Sequence, residues 1–362
     1  MTADAVGGVW QYALDAAHGL KAHGVGTVLA TLGPRPSADQ REAAGRAGIA
    51  DLVETDLPLD WTADAPEAVR AAGEAVARLA AEHRPDIVHL NSPALAGVAR
   101  FPAPVVAVCH SCVATWWAAM RAEPLPADFA WRTDLVRRGY AAAAALAAPT
   151  KAFAEATARA YGLAQAPRVV RNGRRAPAAA APAADPEAAV FTAGRLWDEG
   201  KNLATLDRAA ARLALPVEAA GPTEGPNGAR IALAHVRTIG RLEDAAIAAR
   251  LARRPIVVSV ARYEPFGLAV LEAAQAACAL VLSDIPTFRE LWDGAALFVE
   301  PEDDGAVAAA VQRLVGDPGL RERLGRAAEA RSRAYSVEAM SAGLAALYRT
   351  LLAGRPAEIE AA

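Results

Sequence analysis

Two glutamates and two cations carry the clearest chemical signal in this chain. Glu264 and Glu272 stand eight residues apart in YEPFGLAVLEAAQAA, Tyr263–Ala277, with a Pro-Phe-Gly bend after the first and a helical pattern beneath the second. At 3.6 residues per turn, Glu264 falls in the loop and Glu272 about a turn and a half into the helix. The free amides of Phe266, Gly267 and Leu268 at such a helix start suit phosphate or sugar oxygens. An ordinary helix start, with one acid near the positive end of the dipole and a solvated Glu272, has the same local sequence. In FTAGRLWDEGKN, Phe191–Asn202, an apolar run ends at Gly194, Arg195 follows, and Lys201 comes six residues later at the start of a helical pattern. An arginine fork and a lysine point charge placed this way can clamp a diphosphate, although two solvated surface charges would look alike. Lysine occurs only at 21, 151 and 201, while arginine is abundant, which favours a task for Lys201.

Two further stretches are chemically suggestive. In DAVGGVWQYAL, Gly7 and Gly8 directly precede an amphipathic pattern, and paired glycines let a ligand approach backbone at a helix N-terminus. A tight turn is the plainer reading. The dinucleotide fingerprint G-x-G-x-x-G is absent there. In AVCHSCVATWW, Ala107–Trp117, a Cys-x-x-Cys encloses His110 and is followed by Trp116 and Trp117. A redox pair of this kind normally opens a helix whose dipole lowers the first thiol's pKa, whereas Cys109 closes an apolar strand pattern. The reading is of structural thiols. His110 is the different case, since a parallel sheet gathers its functional residues at the carboxyl ends of its strands. The two tryptophans suit either helix packing or an aromatic platform for a sugar ring.

The elements that must position these residues follow from periodicity. Short β-branched runs at 26–32, 86–91, 104–109 and 146–150 alternate with helical patterns such as 66–83 and 128–144. After the Pro- and Ala-rich stretch 176–188 the alternation resumes, with strands expected at 188–194, 215–221, 235–240, 255–260, 280–284 and 295–300. Helices are expected at 243–252 and from Lys201 and Gly267, and an almost wholly helical segment at 304–352. Apolar strands between helices mean parallel sheets covered on both faces, hence an α/β class with two doubly wound sheets. Such sheets bind ligands beyond the carboxyl ends of their strands.

Composition narrows the function classes. With 362 residues, 54% hydrophobic and 22% charged, the chain has the size for two ordinary domains and the balance of a globular protein. A net charge of −3 gives no electrostatic reason to expect nucleic acid. The N-terminus MTADAVGGVW lacks the basic head and apolar run of a signal peptide, and apolar stretches are all broken by charge or proline. Three cysteines cannot form a disulfide framework, which suits a reducing compartment. A cytoplasmic location is expected, with peripheral contact at the inner face of a membrane left open.

Taken together these stretches resemble the family 4 glycosyltransferases, retaining enzymes of the GT-B fold. The Gly7-Gly8 loop, VCHS, APTKAF, VVRNGR, AGRLWDEGKN, TIGRL, YEPFGLAVLEA and SDIPTFREL come in that family's order over nearly the whole chain. The resemblance implies two Rossmann-like domains facing a cleft: residues 1–175 on the acceptor side, a linker at 176–188, a nucleotide-sugar domain at 189–335, and a C-terminal helix at 336–362 crossing back to the first domain. By the same resemblance, Arg195 and Lys201 neutralise the departing diphosphate and Glu264 lies by the transferred sugar. Amides of Phe266, Gly267 and Leu268 bind its oxygens, and Glu272 accepts hydrogen bonds from the ribose. Arg241 and Leu242 fall where the nucleobase is held, Gly8 lets its loop close over the phosphates, and His110 is the histidine that bonds the donor sugar. His89 and Asn91 at the end of DIVHLN, with Trp116 and Trp117, would line the acceptor side.

The expected activity is transfer of a sugar from a UDP- or GDP-sugar, with retained configuration, to a saccharide, lipid-linked or small-molecule acceptor. No Asp-x-Asp occurs and no His/Cys cluster has metal-ligand spacing, which fits a metal-independent transferase without a cofactor, the nucleotide sugar being a substrate. A nucleotide-sugar-binding protein without catalysis and a GT-B epimerase share the plan; a pyridoxal phosphorylase would need a lysine that this chain does not obviously offer. The sequence departs from the family in two places. Only Met1–Asp4 precede the Gly-Gly loop where a full first strand is expected, so either translation begins upstream or that sheet lacks most of a central strand. Cys278 is followed by Ala279 where a glycine is frequent.

Overall fold

The structure is a computed structural model that describes residues 1–175 and 188–354. The chain forms two compact units, Met1–Gly173 together with the segment from Val337, and Arg174–Ser336. The Pro- and Ala-rich stretch lies, but for its last residue, outside the described residues, as do residues 355–362.

The first unit begins with β1 (Thr2–Asp4), α1 (Gly8–Leu20), β2 (Val28–Leu32), α2 (Ala38–Ala47) and β3 (Asp51–Glu54). It continues through α3 (Pro66–His83), β4 (Val88–Leu90), β5 (Val105–Val108), α4 (Val113–Met120), α5 (Ala130–Ala142), β6 (Ala145–Ala148), α6 (Lys151–Tyr161) and β7 (Arg168–Val169). All pairings are parallel, in the orders β1-β2-β3 and β4-β5-β6-β7. The break in the ladder falls beside β1, which has three residues. Asn91 spans it, its backbone amide reaching Thr2 Oγ1 at 3.0 Å and its side-chain Nδ2 reaching the Thr2 carbonyl at 2.7 Å.

Local signals explain the element ends. Ser37 and Gln40 form a reciprocal capping box on α2, and Thr150 Oγ1 accepts from Phe153 N at the start of α6. Pro66 opens α3, whose Val69, Ala72, Gly73 and Val76 recur at helical spacing and are all buried. Strand β3 and helix α2 escape the sequence reading: DLVE carries charge at both ends and ADQREAAGRA has few large apolar residues, so neither shows the periodicity that marks its neighbours.

The second unit runs β8 (Val190–Ala193), α7 (Leu203–Ala210), β9 (Val217–Ala220), β10 (Arg237–Thr238), α8 (Asp244–Ala252), β11 (Ile256–Ser259), α9 (Leu268–Gln275), β12 (Leu280–Ser283), α10 (Pro286–Trp292), β13 (Leu297–Val299), α11 (Asp304–Gly316) and α12 (Pro318–Ser332). Its six parallel strands are ordered β10-β9-β8-β11-β12-β13. The direction of winding therefore reverses between β8 and β11. In an open parallel sheet this reversal splays the loops at the carboxyl ends and leaves a crevice for ligand. One hydrophobic cluster centred on Leu271, Phe288 and Trp292 covers one face, and another around Leu206, Val258 and Val311 covers the other. Helix α13 (Val337–Ala353) belongs to the first unit, where Met340 and Leu344 join the core formed by Tyr12, Ala16 and Val106. Among the described residues no helix is long and apolar enough to cross a membrane.

Candidate active site

In the second unit the two loops that flank the switch point are stitched together. The amides of Arg262 and Tyr263, after β11, donate to the carbonyl of Gly200, after β8, at 2.9 and 3.2 Å. Asn202, held at φ 57°, sends its Nδ2 to the carbonyls of Val260 at 3.0 Å and Pro301 at 2.6 Å. This stitching presents Lys201 to Glu264, and the two side chains form a mostly buried ion pair. Lys201 ends a short 3-10 turn, Glu199–Lys201, rather than opening the helix, which starts at Leu203. The reason is the left-handed Asn202, which interrupts regular winding.

Arg195 follows β8 in the same loop, its Nη2 2.7 Å from Asp198 Oδ2 and its guanidinium 5.7 Å from the Trp197 ring centroid. Its Nε is buried without a hydrogen-bond partner among the described residues. The loops after β8, β9 and β10 approach one another at glycines. Gly221 N donates to Gly240 O at 2.8 Å, and a side chain at Gly221, which has φ 142°, would collide with the carbonyl of Gly194. Arg241 is exposed next to this contact and Leu242 packs on the core.

Helix α9 starts one residue later than expected, because Gly267 adopts φ 88° and serves as the N-cap. A side chain would be strained in that conformation. The first helical bond runs from Leu271 N to Gly267 O at 3.0 Å, so the amides of Leu268, Ala269 and Val270 have no acceptor within the helix. The Phe266 ring is buried, edge-on to Tyr335 at 5.8 Å, so its side chain serves the core and only its backbone is on offer. Thr287 Oγ1 bonds the Glu264 carbonyl at 2.6 Å and fixes the loop.

Glu272 is not a solvated surface acid. Arg174 Nε lies 2.6 Å from its Oε1, Arg174 Nη2 reaches Asp244 Oδ2 at 3.0 Å, and Gln275 Nε2 holds the Arg174 carbonyl at 2.8 Å. Arg174 is the residue that sequence reasoning passed over. It stands inside VVRNGR, but nothing local to that stretch points to a partner 98 positions away.

The first unit carries a second polar cluster, at the carboxyl ends of β4 and β5. His110 Nε2 is 2.8 Å from Asn91 Oδ1, and the same oxygen is 3.2 Å from His89 Nε2. His89 Nδ1 meets Tyr348 Oη of α13 at 2.6 Å, and Tyr12 of α1 stands edge-on to the His110 ring at 4.5 Å. Burial pushes His110 down to about 4 and His89 to about 3, so both imidazoles are neutral at pH 7. Of the two residues of DIVHLN expected on the acceptor side, Asn91 has both ends of its amide engaged inside this cluster and His89 is buried with both ring nitrogens engaged. Gly7 is the N-cap of α1 and Gly8 its first residue, exposed at the helix start.

The cysteines separate into two kinds. Cys109 is buried, and burial pushes its thiol up to about 12. Cys112 is the N-cap of α4, its Sγ accepting from Thr115 N at 3.4 Å. A helix does open after this motif, but at the second cysteine rather than the first. Trp116 and Trp117 are half-buried, with the Arg121 guanidinium 5.1 and 5.7 Å from their ring centroids. Trp117 lines a groove of about 780 Å³ together with Arg121, Glu123, Asp134 and Arg137. Among the described residues no three His, Cys, Asp or Glu side chains are grouped as metal ligands would be.

Comparison with known proteins adds the class. Residues 6–175 match the family described as Glycosyltransferase Family 4, and residues 228–331 match Glycosyl transferases group 1. The fold is shared with sucrose-phosphate synthase from Thermosynechococcus elongatus, with a TM-score of 0.77 and 18% identity over 95% of this chain and 93% of that one. Anabaena HepE in complex with UDP-glucose gives a TM-score of 0.72 at 18% identity, covering 97% of this chain and 99% of its own. Glycogen synthase of Mycobacterium tuberculosis (strain ATCC 25618 / H37Rv) is 38% identical over 97 residues, which are 26% of this chain and 23% of that protein's length. The chain shares the GT-B fold of these solved glycosyltransferases. The family 4 match covers most of the first unit, and the group 1 match covers much of the second.

Proposed function

We propose that the protein transfers a sugar from a nucleoside diphosphate sugar, of the UDP or GDP type, to an acceptor hydroxyl with retention of configuration and without a metal. The observation that carries this reading is the grouping of Arg195, Lys201, Glu264 and the free amides of α9 at the β8/β11 switch point. Two cations and a helix N-terminus there supply the positive potential that a departing diphosphate requires, the task a divalent ion performs elsewhere. HepE, of similar fold, holds UDP-glucose in its structure, which supports a donor of that chemical class.

In this reading Arg195 and Lys201 bind the diphosphate, the Phe266–Leu268 backbone binds sugar or phosphate oxygens, and Glu264 lies beside the transferred sugar. Glu272 accepts from the ribose hydroxyls, the backbone at Arg241 and Leu242 faces the base, and Gly7 and Gly8 bring the start of α1 to the phosphates. The bond from the anomeric carbon to the diphosphate oxygen breaks as the acceptor oxygen bonds that carbon on the same face. The acceptor proton passes to an oxygen of the leaving phosphate. Lys201, already charged, stabilises that oxygen best when negative charge has built up on it, so its interaction strengthens in the transition state.

On the other side of the reaction, His110 bonds a hydroxyl of the donor sugar, and Trp116 and Trp117 offer aromatic faces to a saccharide, lipid-linked or small-molecule acceptor. The deciding experiment is a thermal-shift panel of UDP-, GDP- and ADP-sugars followed by product analysis without added metal and with a chelator. A stabilising donor that is consumed with retained configuration supports the reading. No stabilisation by any of them, or consumption only with a divalent ion, would overturn it.

A further inference from the structure

We propose that Asn91 is a positioning residue that fixes the tautomer of His110, so that His110 Nδ1 presents a lone pair and accepts a hydrogen bond from a sugar hydroxyl. The tautomer follows from the first unit alone, while the hydroxyl it awaits rests on the transferase reading above.

A carboxamide has one end that only donates and one that only accepts. The donating end is assigned by Thr2, whose carbonyl lies 2.7 Å from Asn91 Nδ2. Turning the amide over would set oxygen against oxygen. Oδ1 therefore faces the two imidazoles, 2.8 Å from His110 Nε2 and 3.2 Å from His89 Nε2. An oxygen can only accept, so both Nε2 atoms carry protons.

His89 checks the deduction from its far side. With its proton on Nε2, its Nδ1 must accept, and the group there is the Tyr348 hydroxyl at 2.6 Å, which can donate. Tyr12 Oη, 3.5 Å from His89 Nε2, then faces a donor and has lone pairs to offer it. Every group in the chain Thr2–Asn91–His89–Tyr348 keeps one consistent role. His110 is the other end of the network. Its ring is half-buried, Tyr12 packs against it at 4.5 Å, and no described residue bonds its Nδ1. Such an atom welcomes a hydroxyl proton and repels a phosphate oxygen, so the network assigns His110 to the sugar and not to the diphosphate.

The test is long-range proton–nitrogen NMR on protein labelled with ¹⁵N-histidine, the two signals assigned by their loss in His110→Gln and His89→Gln. In the wild type at neutral pH both rings are expected neutral with the proton on Nε2. Asn91→Leu is expected to convert His110 to a mixture of tautomers and to lower kcat/KM about tenfold, the value of one hydrogen bond, while affinity for free UDP or GDP stays within twofold. A His110 proton on Nδ1 in the wild type overturns the proposal even if Asn91→Leu does not fold, and so does an unchanged tautomer in a folded Asn91→Leu. If no nucleotide sugar binds the wild type, the transferase reading and the awaited hydroxyl fall together, whereas the tautomer is still decided by the spectra.

Discussion

Lys201 and Glu264 form an ion pair that ties the loop after β8 to the loop after β11, with side chains only 20% and 15% exposed. Each is thus held by the other before any ligand arrives. In the proposed reaction, a diphosphate that engages Lys201 has to share it with Glu264 or draw it away from that carboxylate.

Removing one partner leaves the other as a poorly solvated charge. Glu264→Ala and Lys201→Ala are each expected to lose on the order of 2 kcal/mol of unfolding free energy and about 10²–10³ in kcat. The double variant should be no less stable than either single one. Denaturant unfolding with donor-turnover assays checks this, and strictly additive stability losses would show that the pair is not coupled.

Arg174 gives a different signature. With its Nε on Glu272 and its Nη2 on Asp244, it sets the carboxylate proposed to receive the ribose. Arg174→Ala is expected to raise KM for the donor about tenfold with kcat changed less than threefold. Arg174→Lys should rescue little, because an ammonium cannot span both acids as the fork does. Steady-state kinetics over a donor titration separates these outcomes, and a loss confined to kcat would remove Arg174 from ribose binding.

The buried histidines make stability depend on pH. His89 and His110 are lowered to about 3 and about 4 from 6.5, so between those values the unfolded chain binds more protons than the folded one. Their contribution is complete above pH 6.5 and is lost as pH falls, toward 4 for His110 and toward 3 for His89. Asp60, raised to about 6 from 3.8 by burial, works in the opposite direction from pH 6 down to 3.8 and offsets part of the loss. Melting temperature should drop from pH 7 to pH 4.5 in the wild type and drop less in His89→Gln. Parallel curves for the two proteins would refute the assignment to His89.

The thiols should react unequally. Cys112 at the start of α4 is partly exposed, while Cys109 and Cys278 are buried and pushed up to about 12. A thiol reagent is expected to label one cysteine in the native protein and three after unfolding. Cys112→Ser should keep activity and gain a few tenths of a kcal/mol from a stronger cap, and Cys109→Ala should stay active with about 1 kcal/mol less stability. His110→Ala should abolish most turnover. An inactive but folded Cys112→Ser would restore a chemical role to the motif.

Much of the molecule was legible in the chain itself. The parallel strands β5, β8, β11 and β12 are short, mainly apolar runs, the pattern of strands covered on both faces. Glu264, Glu272, Arg195 and Lys201 stood out because each pair lies within one short loop–helix stretch, although the left-handed Asn202 moved Lys201 from the helix start into a 3-10 turn. Strand β3 was missed because its charged ends hide it, and the start of α9 was misplaced by one residue because the left-handed Gly267 carries the cap.

What the sequence by itself determined was therefore the class of fold and which candidate site residues are neighbours along the chain. The tertiary structure alone decided their partners: Glu264 for Lys201, Arg174 for Glu272, Asn91 between His89 and His110, and Tyr348 behind His89 across 259 positions. Periodicity reports which face of an element is buried. It holds no information about which distant polar atom meets which, because that choice is made when strand ends and helices pack and each buried donor must find an acceptor.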